Sequence, residues 1–345
     1  MTTDKRAPNF KIVNTLDEKA WRRFVEEHPA GNIFHTPEMF QVFSRAEGHQ
    51  PELWAATKDG RVLALLLPVW ITLKDRLLRP FTTRVVIYGS VLCTASVEGQ
   101  EALARLLHTY KCEVKGGPLF TELRNLSDLS AIQPILQDNG FIHEGHLNFL
   151  IDLQRPTEEI WSSLHRNVRT NVRKARRMGV VVEEVTSLDK VPVIYAVLAK
   201  VYEHIQIPLA LPSLFEAAFE ILHPRGMIKL FMARVEDTRI GVAIRLLYKD
   251  VIYAWYAGAI IDYASYKAND LLNWHVLEWG AQNGFRCFDF GGAGKPDQDY
   301  GPRRFKAKFN GTLVNYGRNI CVHHPHLLRF SQWGYQVYRR LPYWG

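Results

Sequence analysis

Apolar residues recur along the chain with two different periods, and the first half of the 345-residue sequence therefore predicts both strands and helices. Alternating or continuous short apolar runs indicate strands, whereas apolar residues spaced three and four apart indicate helices. The predicted strands are Phe10–Asn14, Leu53–Thr57, Val62–Thr72, Val85–Gly89, Leu119–Leu123 and Leu147–Leu153. The predicted helices are Leu16–Glu27, Pro37–Ala46, Glu98–Val114 and Leu129–Asp138.

The second half of the chain repeats much of this order of elements. Its predicted helices are Glu158–Met178, Val191–His204, Ser213–Leu222 and Ala268–Asn283, and its predicted strands are Val180–Val185, Ile228–Val235, Ile240–Leu247, Ile252–Tyr256 and Arg286–Phe290. In both halves a strand, a polar loop, an amphipathic helix, a glycine and a second strand follow one another; the first strand is Val86–Gly89 in one half and Tyr253–Tyr256 in the other. We therefore predict an α/β (α+β) protein of two similar lobes, residues 1–150 and 151–345, each with a central mixed sheet flanked by helices.

Other features of the sequence favour a reduced, intracellular protein. The longest apolar run, Val62–Ile71, has ten residues and contains Pro68, whereas a membrane-spanning helix needs about 20. The first residues lead into no apolar segment typical of a secretory signal, so we expect a cytoplasmic location. The four cysteines show no C-x-x-C spacing and are expected to be free.

Positive charge is concentrated in the second half of the chain. Residues 1–150 contain 17 basic and 17 acidic residues, whereas residues 151–345 contain 26 basic and 18 acidic ones, so the formal charge of +8 belongs to the second lobe. This distribution favours an anionic partner, such as nucleic acid, a nucleotide, a cofactor phosphate or a membrane face. An ordinary basic surface is the alternative.

The predicted helix Glu158–Met178 concentrates this charge. Its apolar residues form one stripe and its arginines another: the apolar stripe comprises Trp161, Leu164, Val168, Val172 and Ala175, and the basic stripe Arg166, Arg169, Arg173 and Arg177. No acidic residue lies between Arg166 and Arg177, although a solvated helix normally gains stability from pairs of opposite charge. The arginines of this helix therefore repel one another, and an anionic ligand explains their presence better than a solvated face does.

A strand that ends in glycines is the second segment of chemical interest. Asp289 and the glycines Gly291 and Gly292 lie where the predicted strand ends, so a ligand can approach the backbone there. A group of four basic residues follows after Gly301: Arg303, Arg304, Lys306 and Lys308. A turn-capping carboxylate and a solvated basic turn are the alternatives. The patterns of a dinucleotide fold and of a P-loop are absent.

The sequence predicts no metal site. Cysteine and histidine cluster only near residues 321–326. Neighbouring residues of a strand point to opposite faces, so these side chains are poorly placed to bind one and the same metal ion.

Three motifs, in order along the chain, resemble those of the Fem family of peptidoglycan-bridge aminoacyltransferases. The helix from Trp161 to Val180, with its Arg166-Asn167-Val168-Arg169 sequence, resembles the signature helix of the family. Asp289-Phe290-Gly291-Gly292 and Phe305-Lys306-x-x-Phe309-x-Gly311 are similar to its C-terminal motifs. Leu136-x-x-x-Gly140-Phe141 followed by Ile151-Asp152-Leu153 is similar to the crossover between its lobes. Unlike the best-known members, the chain has no long coiled-coil insertion after the signature helix.

The resemblance implies two lobes of the N-acetyltransferase type and an enzyme without a metal or prosthetic cofactor. Its reaction moves an amino acid from aminoacyl-tRNA to an amine of the stem peptide of a nucleotide- or lipid-linked cell-wall precursor. The first lobe is expected to bind the acceptor. The tail from Leu327 to Trp344, which is aromatic and basic, is expected to pack between the lobes or to contact the inner face of the membrane peripherally.

The motifs also suggest a role for each candidate residue. Lys306 is expected to stabilise charge on the substrate carbonyl, and Asp289 to orient the substrate or accept a proton. The remaining candidates are expected to bind substrate, largely through phosphates: Arg166, Arg169, Arg173, Gly291, Gly292, Arg303, Arg304 and Lys308.

Two other functions remain open from the sequence. An acyl-CoA-dependent N-acyltransferase acting on an amino sugar, a lipid or another amine would use the same lobes, although Asp262–Asn269 lacks the glycine turn that usually binds the CoA pyrophosphate. A non-enzymatic nucleic-acid-binding protein would explain the basic helix but not the glycine-rich strand end.

Overall fold

The computed structural model describes residues 10–72, 79–114 and 116–340, which form two compact units. One unit contains the described residues up to Glu144 together with those from Tyr316 onward, and the other contains Gly145–Asn315. This division corrects the predicted second lobe of residues 151–345, because the chain returns to the first unit after Asn315. The part of the tail beyond Arg340 lies outside the described residues.

Strands and helices are numbered here in chain order. The strands are β1 (Lys11–Val13), β2 (His49–Pro51), β3 (Trp54–Lys58), β4 (Arg61–Leu66), β5 (Val69–Ile71), β6 (Arg84–Tyr88), β7 (Leu92–Cys93), β8 (Phe120–Arg124), β9 (Ile142–Glu144), β10 (Asn148–Asp152), β11 (Val180–Glu184), β12 (Ile228–Val235), β13 (Thr238–Tyr248), β14 (Val251–Ala259), β15 (Cys287–Gly292), β16 (Thr312–Val314) and β17 (Arg318–Val322). The helices are α1 (Glu18–Glu27), α2 (Pro37–Arg45), α3 (Arg79–Thr82), α4 (Val97–Val114), α5 (Gln133–Asp138), α6 (Thr157–Ser163), α7 (Arg166–Arg177), α8 (Val191–His204), α9 (Pro212–Leu222), α10 (Ala268–Gln282), α11 (Gly301–Ala307) and α12 (Pro325–Arg340).

The first unit contains two sheets. Six strands form a mixed sheet in the order β2-β5-β6-β8-β17-β9, and four form an antiparallel sheet in the order β1-β3-β4-β7. Strand β17 joins this unit because it pairs with both β8 and β9. Helix α4 buries one face against the sheets, with Leu103, Leu106, Leu107 and Tyr110 inaccessible to solvent.

The second unit is built on one seven-stranded mixed sheet in the order β11-β12-β13-β14-β15-β10-β16. Strand β10 belongs here because it pairs with β15 and β16. Its core is formed by α6, α7 and α10 packed on the sheet, and Phe288, Phe309 and Leu272 are almost completely buried there.

The repeated order of elements predicted from the sequence is confirmed. Strands β6 and β8 are parallel and are connected through α4, and β14 and β15 are parallel and are connected through α10. All other strand pairs in the described sheets are antiparallel. Parallel neighbours require such a crossover helix, which explains why the same pattern of apolar runs occurs in both halves of the sequence.

The predicted helix Glu158–Met178 is interrupted, and α6 and α7 take its place. Leu164 and His165 have extended backbone angles, and the His165 ring accepts a hydrogen bond from the Asn167 N–H at 3.2 Å. The His165 N–H donates to the Lys308 carbonyl at 2.9 Å instead of continuing the helix. The apolar stripe nevertheless faces the core, because Leu164, Val168, Val172 and Ala175 are all buried.

The predicted strand Val62–Thr72 also divides in two. Pro68, which has no N–H to donate, separates β4 from β5, and the two strands enter different sheets. The residues of one apolar run therefore form strands in two different sheets of the first unit.

Candidate active site

The second unit has an opening between its two parallel strands. Strands β14 and β15 pair from Val251 with Cys287 to Tyr253 with Asp289. Beyond this point, among the described strands, the residues Ala254–Ala259 pair only with β13, while Gly292 of β15 pairs with β10. The backbone groups that face the opening therefore have no strand partner across it and must be satisfied in another way.

The corresponding strands of the first unit stay together. Strands β6 and β8 are paired up to Tyr88 and Arg124, the last residue of each strand. The chemistry of the candidate site is therefore sought in the second unit.

A β-bulge lies on the open edge of β14. Ile244 pairs with Tyr256, but the next residue, Arg245, pairs with Ala254, so Trp255 is the extra residue. A bulge bends its strand and increases the local twist. It therefore contributes to the separation of β14 from β15.

Asp289 lies at the point where the two strands separate. Only 4% of its surface is exposed, and its Oδ1 accepts hydrogen bonds from Asn148 Nδ2 and from the Gly291 N–H, both at 2.8 Å. Burial raises the pKa of Asp289; the two hydrogen bonds and the charge of Lys306 oppose this effect. The carboxyl group is thus held in a fixed orientation and is easier to protonate than an exposed one.

Lys306 comes from α11, a helix in the segment for which a solvated basic turn was the alternative to a substrate-binding role. Its Nζ donates to the carbonyls of Phe290, Gly291 and Gly292 at 2.6, 3.0 and 2.9 Å. An ammonium group has three donors, and all three are directed to the end of β15. In this structure Lys306 therefore fixes the glycine turn, and its role in the chemical step stays a prediction.

The surroundings of Lys306 also change its protonation. Burial lowers the pKa of Lys306 to about 8; the carboxylate of Asp289 opposes this effect and the guanidinium of Arg245 reinforces it. Burial thus shifts the pKa of the lysine and the pKa of the aspartate in this site in the directions that favour their neutral forms.

Both glycines of the predicted motif are required by the local backbone. Gly291 has φ +74°, a conformation that residues with a side chain rarely adopt. At Gly292, a Cβ atom would lie 2.9 Å from Nε2 of His146. The turn thus brings His146 next to the strand end, a neighbour that no sequence motif indicates.

Arg303 and Arg304 have partners within the protein. Arg303 donates to the carbonyls of Ala293 at 2.8 Å and Pro296 at 3.2 Å, and also to that of Lys295, so that it braces the loop after β15. Arg304 forms an exposed ion pair with Asp299, with Nη1 2.7 Å from Oδ1. The substrate contact of both arginines stays a prediction.

The basic stripe of α7 lies on the surface of the second unit. Arg166 and Arg173 are exposed and Arg169 is half-buried, and none of the three has an acidic partner among the described residues. Arg173 also stacks on the Trp161 ring, with its guanidinium carbon 5.4 Å from the ring centroid. Arg176 does have a partner, Glu278, at 3.4 Å.

The remaining predicted residue, Lys308, lies beside the start of this helix. Its carbonyl accepts from the His165 N–H, and its ammonium influences Asp270 at the N-terminal turn of α10. Burial raises the pKa of Asp270, whereas a hydrogen bond from Asn171 and the charges of Lys308 and Lys267 oppose the rise. The structure thus brings Lys308 together with the α7 arginines.

Two side chains at the site were missed by sequence reasoning. Asn148 orients Asp289, and Arg245 influences Lys306 from within β13. Asn148 lies before an apolar run in the sequence and Arg245 lies inside one, and both reach the site only through pairing between distant strands. Among the described residues, no group of three or more His, Cys, Asp or Glu side chains is placed to hold a metal ion, and no helix is long and apolar enough to cross a membrane.

Replacement of Asp289 by Asn tests the buried charge. The Asn Oδ1 can accept the same two hydrogen bonds, so the fold should persist. Because the folded-state pKa of Asp289 is raised, ionisation of this group destabilises the native protein as pH rises above the unfolded value of about 3.9. The melting temperature of Asp289→Asn relative to wild type should therefore increase between about pH 4 and 7. The exposed Asp262→Asn variant is the control, and a pH-independent difference for Asp289→Asn would contradict the interpretation.

Comparison with known proteins places these features in a known fold. Residues 162–306 match the family described as acetyltransferase (GNAT) domain. No curated protein matches the chain by sequence. The match spans α7, the bulged β14, the glycine turn and Lys306.

Solved structures match nearly the whole chain. FemX is 15% identical, with a TM-score of 0.69 over 93% of this chain and 99% of that one. The C-terminal domain of a putative lysylphosphatidylglycerol synthetase from Agrobacterium fabrum is 14% identical, with a TM-score of 0.57 over 92% and 95%. A tandem GNAT protein from the clavulanic acid biosynthesis pathway is 11% identical, with a TM-score of 0.58 over 92% and 99%.

These likenesses confirm, at the level of the fold, the resemblance to the Fem family and the prediction of two N-acetyltransferase-like lobes. The second unit thus contains a segment that matches the acetyltransferase (GNAT) domain family, and the chain shares its fold with FemX.

Proposed function

We propose that the protein transfers an aminoacyl group from aminoacyl-tRNA to an amine of a peptidoglycan precursor stem peptide. The observation that carries this proposal is the opening at Asp289 and Lys306 in a unit that also bears an acid-free face of arginines. An aminoacyl-tRNA combines a reactive ester with a polyanionic body, and these two features of the unit suit the two parts of such a donor. The likeness to FemX supports the choice of the amine acceptor.

The reaction is a direct attack. The acceptor nitrogen forms a bond with the ester carbonyl carbon, the bond from this carbon to the ribose oxygen breaks, and the proton lost by the amine reaches the leaving oxygen. An alkylammonium has a pKa near 10.4 and must first lose a proton. Asp289 is proposed to accept this proton or to orient the amine. Lys306, held at the strand end, is proposed to stabilise negative charge on the carbonyl oxygen.

The donor is proposed to lie along α7. Arg166, Arg169 and Arg173 would bind its phosphates, and Lys308 would extend this surface toward α11. Charge-assisted bonds from arginine to phosphate are among the stronger polar contacts, and none of these arginines has to leave an acidic partner within the described residues to form them.

The acceptor is proposed to bind the first unit. At the carboxyl ends of β6 and β8, Glu122 accepts hydrogen bonds from Arg124 at 3.2 Å and from Arg318. The Arg124 guanidinium carbon lies 5.1 Å from the centre of the Tyr88 ring. The guanidinium groups of Arg124 and Arg318 and the Tyr88 ring are proposed to contact an anionic, nucleotide- or lipid-linked precursor, although Glu122 and Glu144 also act on the charge of Arg318.

Acyl-CoA is the second candidate donor, because the GNAT family match covers the candidate site. Residues Ile261–Tyr266 form a short 3-10 helix, and Lys267, at φ 60°, precedes α10 without a side-chain cap. This segment lacks the glycine turn on which binding of a pyrophosphate usually depends, so aminoacyl-tRNA is the preferred donor.

We further propose a cytoplasmic enzyme with peripheral contact to the inner face of the membrane. On α12, Phe330 and Trp333 are 57% and 61% exposed, and the neighbouring Arg329 is exposed as well. Exposed aromatic and basic side chains on one helix favour an anionic lipid surface.

The donor is tested by incubating the protein with aminoacyl-tRNA or acyl-CoA in parallel and following donor consumption in the presence of candidate amines. We expect aminoacyl-tRNA to be consumed. Lys306→Met, which removes the charge and keeps much of the length, should lower kcat about a hundredfold. Lys200→Met, at an exposed lysine of α8, is the control. Consumption of acyl-CoA alone would select the second candidate, and loss of Lys306→Met activity only through unfolding would refute the role of Lys306.

Charge reversal tests the donor surface. Arg169→Glu with Arg173→Glu should weaken tRNA binding and reduce the slope of log K against log salt by about 1.4, since each lost phosphate contact contributes about 0.7. Lys19→Glu with Arg23→Glu makes the same charge change, at the same spacing, on the exposed face of α1. Equal effects of the two double variants would mean that only net charge matters.

Membrane contact is tested by sedimentation with vesicles of phosphatidylglycerol and phosphatidylcholine. Phe330→Ala with Trp333→Ala should weaken binding about tenfold, because two aromatic side chains then no longer insert. Val97→Ala, at a valine that is 74% exposed, is the control. Unchanged sedimentation of the double variant would argue against this surface.

A further inference from the structure

Arg245 is a charged side chain buried in the sheet of the second unit. It lies on β13, is only 1% exposed, and forms no ion pair with any described carboxylate. Its partners are neutral oxygens, and its Nε has none. Because burial alone lowers the pKa of Arg245 to about 9, the guanidinium remains charged at neutral pH. Such a buried, unneutralised charge is costly for the fold and is not explained by packing.

The contacts of Arg245 are concentrated at the bulge. Its Nη1 donates to the carbonyls of Ile244 at 3.1 Å and Tyr256 at 3.4 Å, the pair that directly adjoins the inserted Trp255. Its Nη2 donates to Oδ1 of Asn273 on α10 at 3.0 Å. One planar group thus connects both strands of the bulged pair to the helix behind them.

Arg245 also acts on the other side of the opening. Its guanidinium carbon lies 5.5 Å from the centre of the Phe288 ring on β15, and its charge lowers the pKa of Lys306. The charged groups that influence Lys306 are Asp289 on β15 and Arg245 on β13, and His146 lies against the same turn at Gly292. The charge of Arg245 therefore lowers the pKa of Lys306, whereas the charge of Asp289 raises it.

We propose that Arg245 is a positioning residue for acyl transfer, which holds the β14 bulge against α10 and directs a fixed positive charge at the opening between β14 and β15. A fixed cation behind the opening favours the anionic transition state of an attack on an ester or thioester carbonyl. The inference rests on the proposed function in one respect, the location of the reaction at this opening, and it applies to either donor.

Arg245→Met and Arg245→Lys separate the two parts of the proposal, because Met removes the charge and Lys keeps it without the planar fork. Arg239→Met, at an exposed arginine of the same strand, is the control. Hydrophobic replacement of a buried charge is often tolerated, so we expect Arg245→Met to melt at or above the wild-type temperature. Both Arg245 variants should exchange the amide hydrogens of β14 faster than wild type, whereas Arg239→Met should not.

The effect of the Arg245 charge is measured through the titration of Lys306 in the absence of substrate. Competitive acetylation with acetic anhydride, followed by mass spectrometry, gives the pH midpoint of the Lys306 amine, which is expected near 8 in the wild type. Removal of the Arg245 charge should raise this midpoint in Arg245→Met and leave it unchanged in Arg245→Lys. With the donor that the wild type consumes, kcat of Arg245→Met should fall at least about tenfold with KM nearly unchanged.

Failure of the proposal is distinguishable from failure of the proposed function. If the wild type consumes neither donor, the proposed function fails, while amide exchange and the Lys306 midpoint still decide the role of Arg245. Wild-type exchange in β14 together with a wild-type Lys306 midpoint in Arg245→Met would overturn the proposal. So would a kcat within twofold of wild type, or a loss of activity that only parallels a loss of folded protein. If Arg245→Met does not fold, Arg245→Lys decides through its β14 exchange and kcat.

Discussion

The second unit depends on the point at which the hydrogen bonds between β14 and β15 end. A sheet is stable because each strand satisfies the backbone groups of its neighbours, and a pair that separates must either find other partners or leave these groups for a ligand. Here the pairing stops at Tyr253 and Asp289. On one side the bulge at Trp255 turns β14 outward, and on the other side β10 continues to pair with β15.

The polar residues at the opening reinforce this separation. Lys306 takes up the last three carbonyls of β15, and Arg245 takes up carbonyls beside the bulge. Lys306 thus holds the end of β15, and Arg245 contacts β13 and β14 where Ile244 pairs with Tyr256. Both cations lie in a region of low solvent access, where fixed charges act more strongly than they do in water. The two cations that contact the backbone around the opening therefore also contribute to its electrostatic field.

The sequence predicts the elements well and their long-range arrangement only in part. Periodicity identifies the parallel pairs with their crossover helices, because each strand and helix buries a face that its own spacing reveals. Periodicity does not reveal that the predicted helix is interrupted before α7, which begins at Arg166 with His165 as its N-cap. This interruption depends on the hydrogen bond from the His165 N–H to the carbonyl of Lys308, which lies on a distant segment. Nor does periodicity reveal that β17 returns to the first unit.

The same limit applies to the candidate site. Asp289, Lys306 and the two glycines are visible in the sequence because their motifs are local. Arg245 is a single basic residue in an apolar strand, and its meaning depends on its neighbours across the sheet. Asn148 likewise gains its role only when β10 pairs with β15. Sequence reasoning therefore finds the residues of local motifs, such as Asp289 and Lys306, more readily than the residues that contact them from other strands, such as Asn148 and Arg245.

The duplicated architecture places a buried carboxyl group in each parallel pair, with opposite consequences for its charge. Glu122 of β8 pairs with Val86 of β6, as Asp289 of β15 pairs with Tyr253 of β14. Burial raises the pKa of Glu122, but the charges and hydrogen bonds of Arg124 and Arg318 outweigh it, so that the net pKa is lowered.

Asp289 has instead an asparagine, a backbone N–H and a lysine whose own pKa is lowered, and its net pKa is raised. A carboxylate between two arginines remains ionised and can only hold its neighbours in place. A carboxyl group and an amine that are both shifted toward neutrality can exchange a proton at moderate cost. On corresponding pairs of strands, the choice of cation beside a buried acid therefore decides the direction in which the pKa of that acid is shifted.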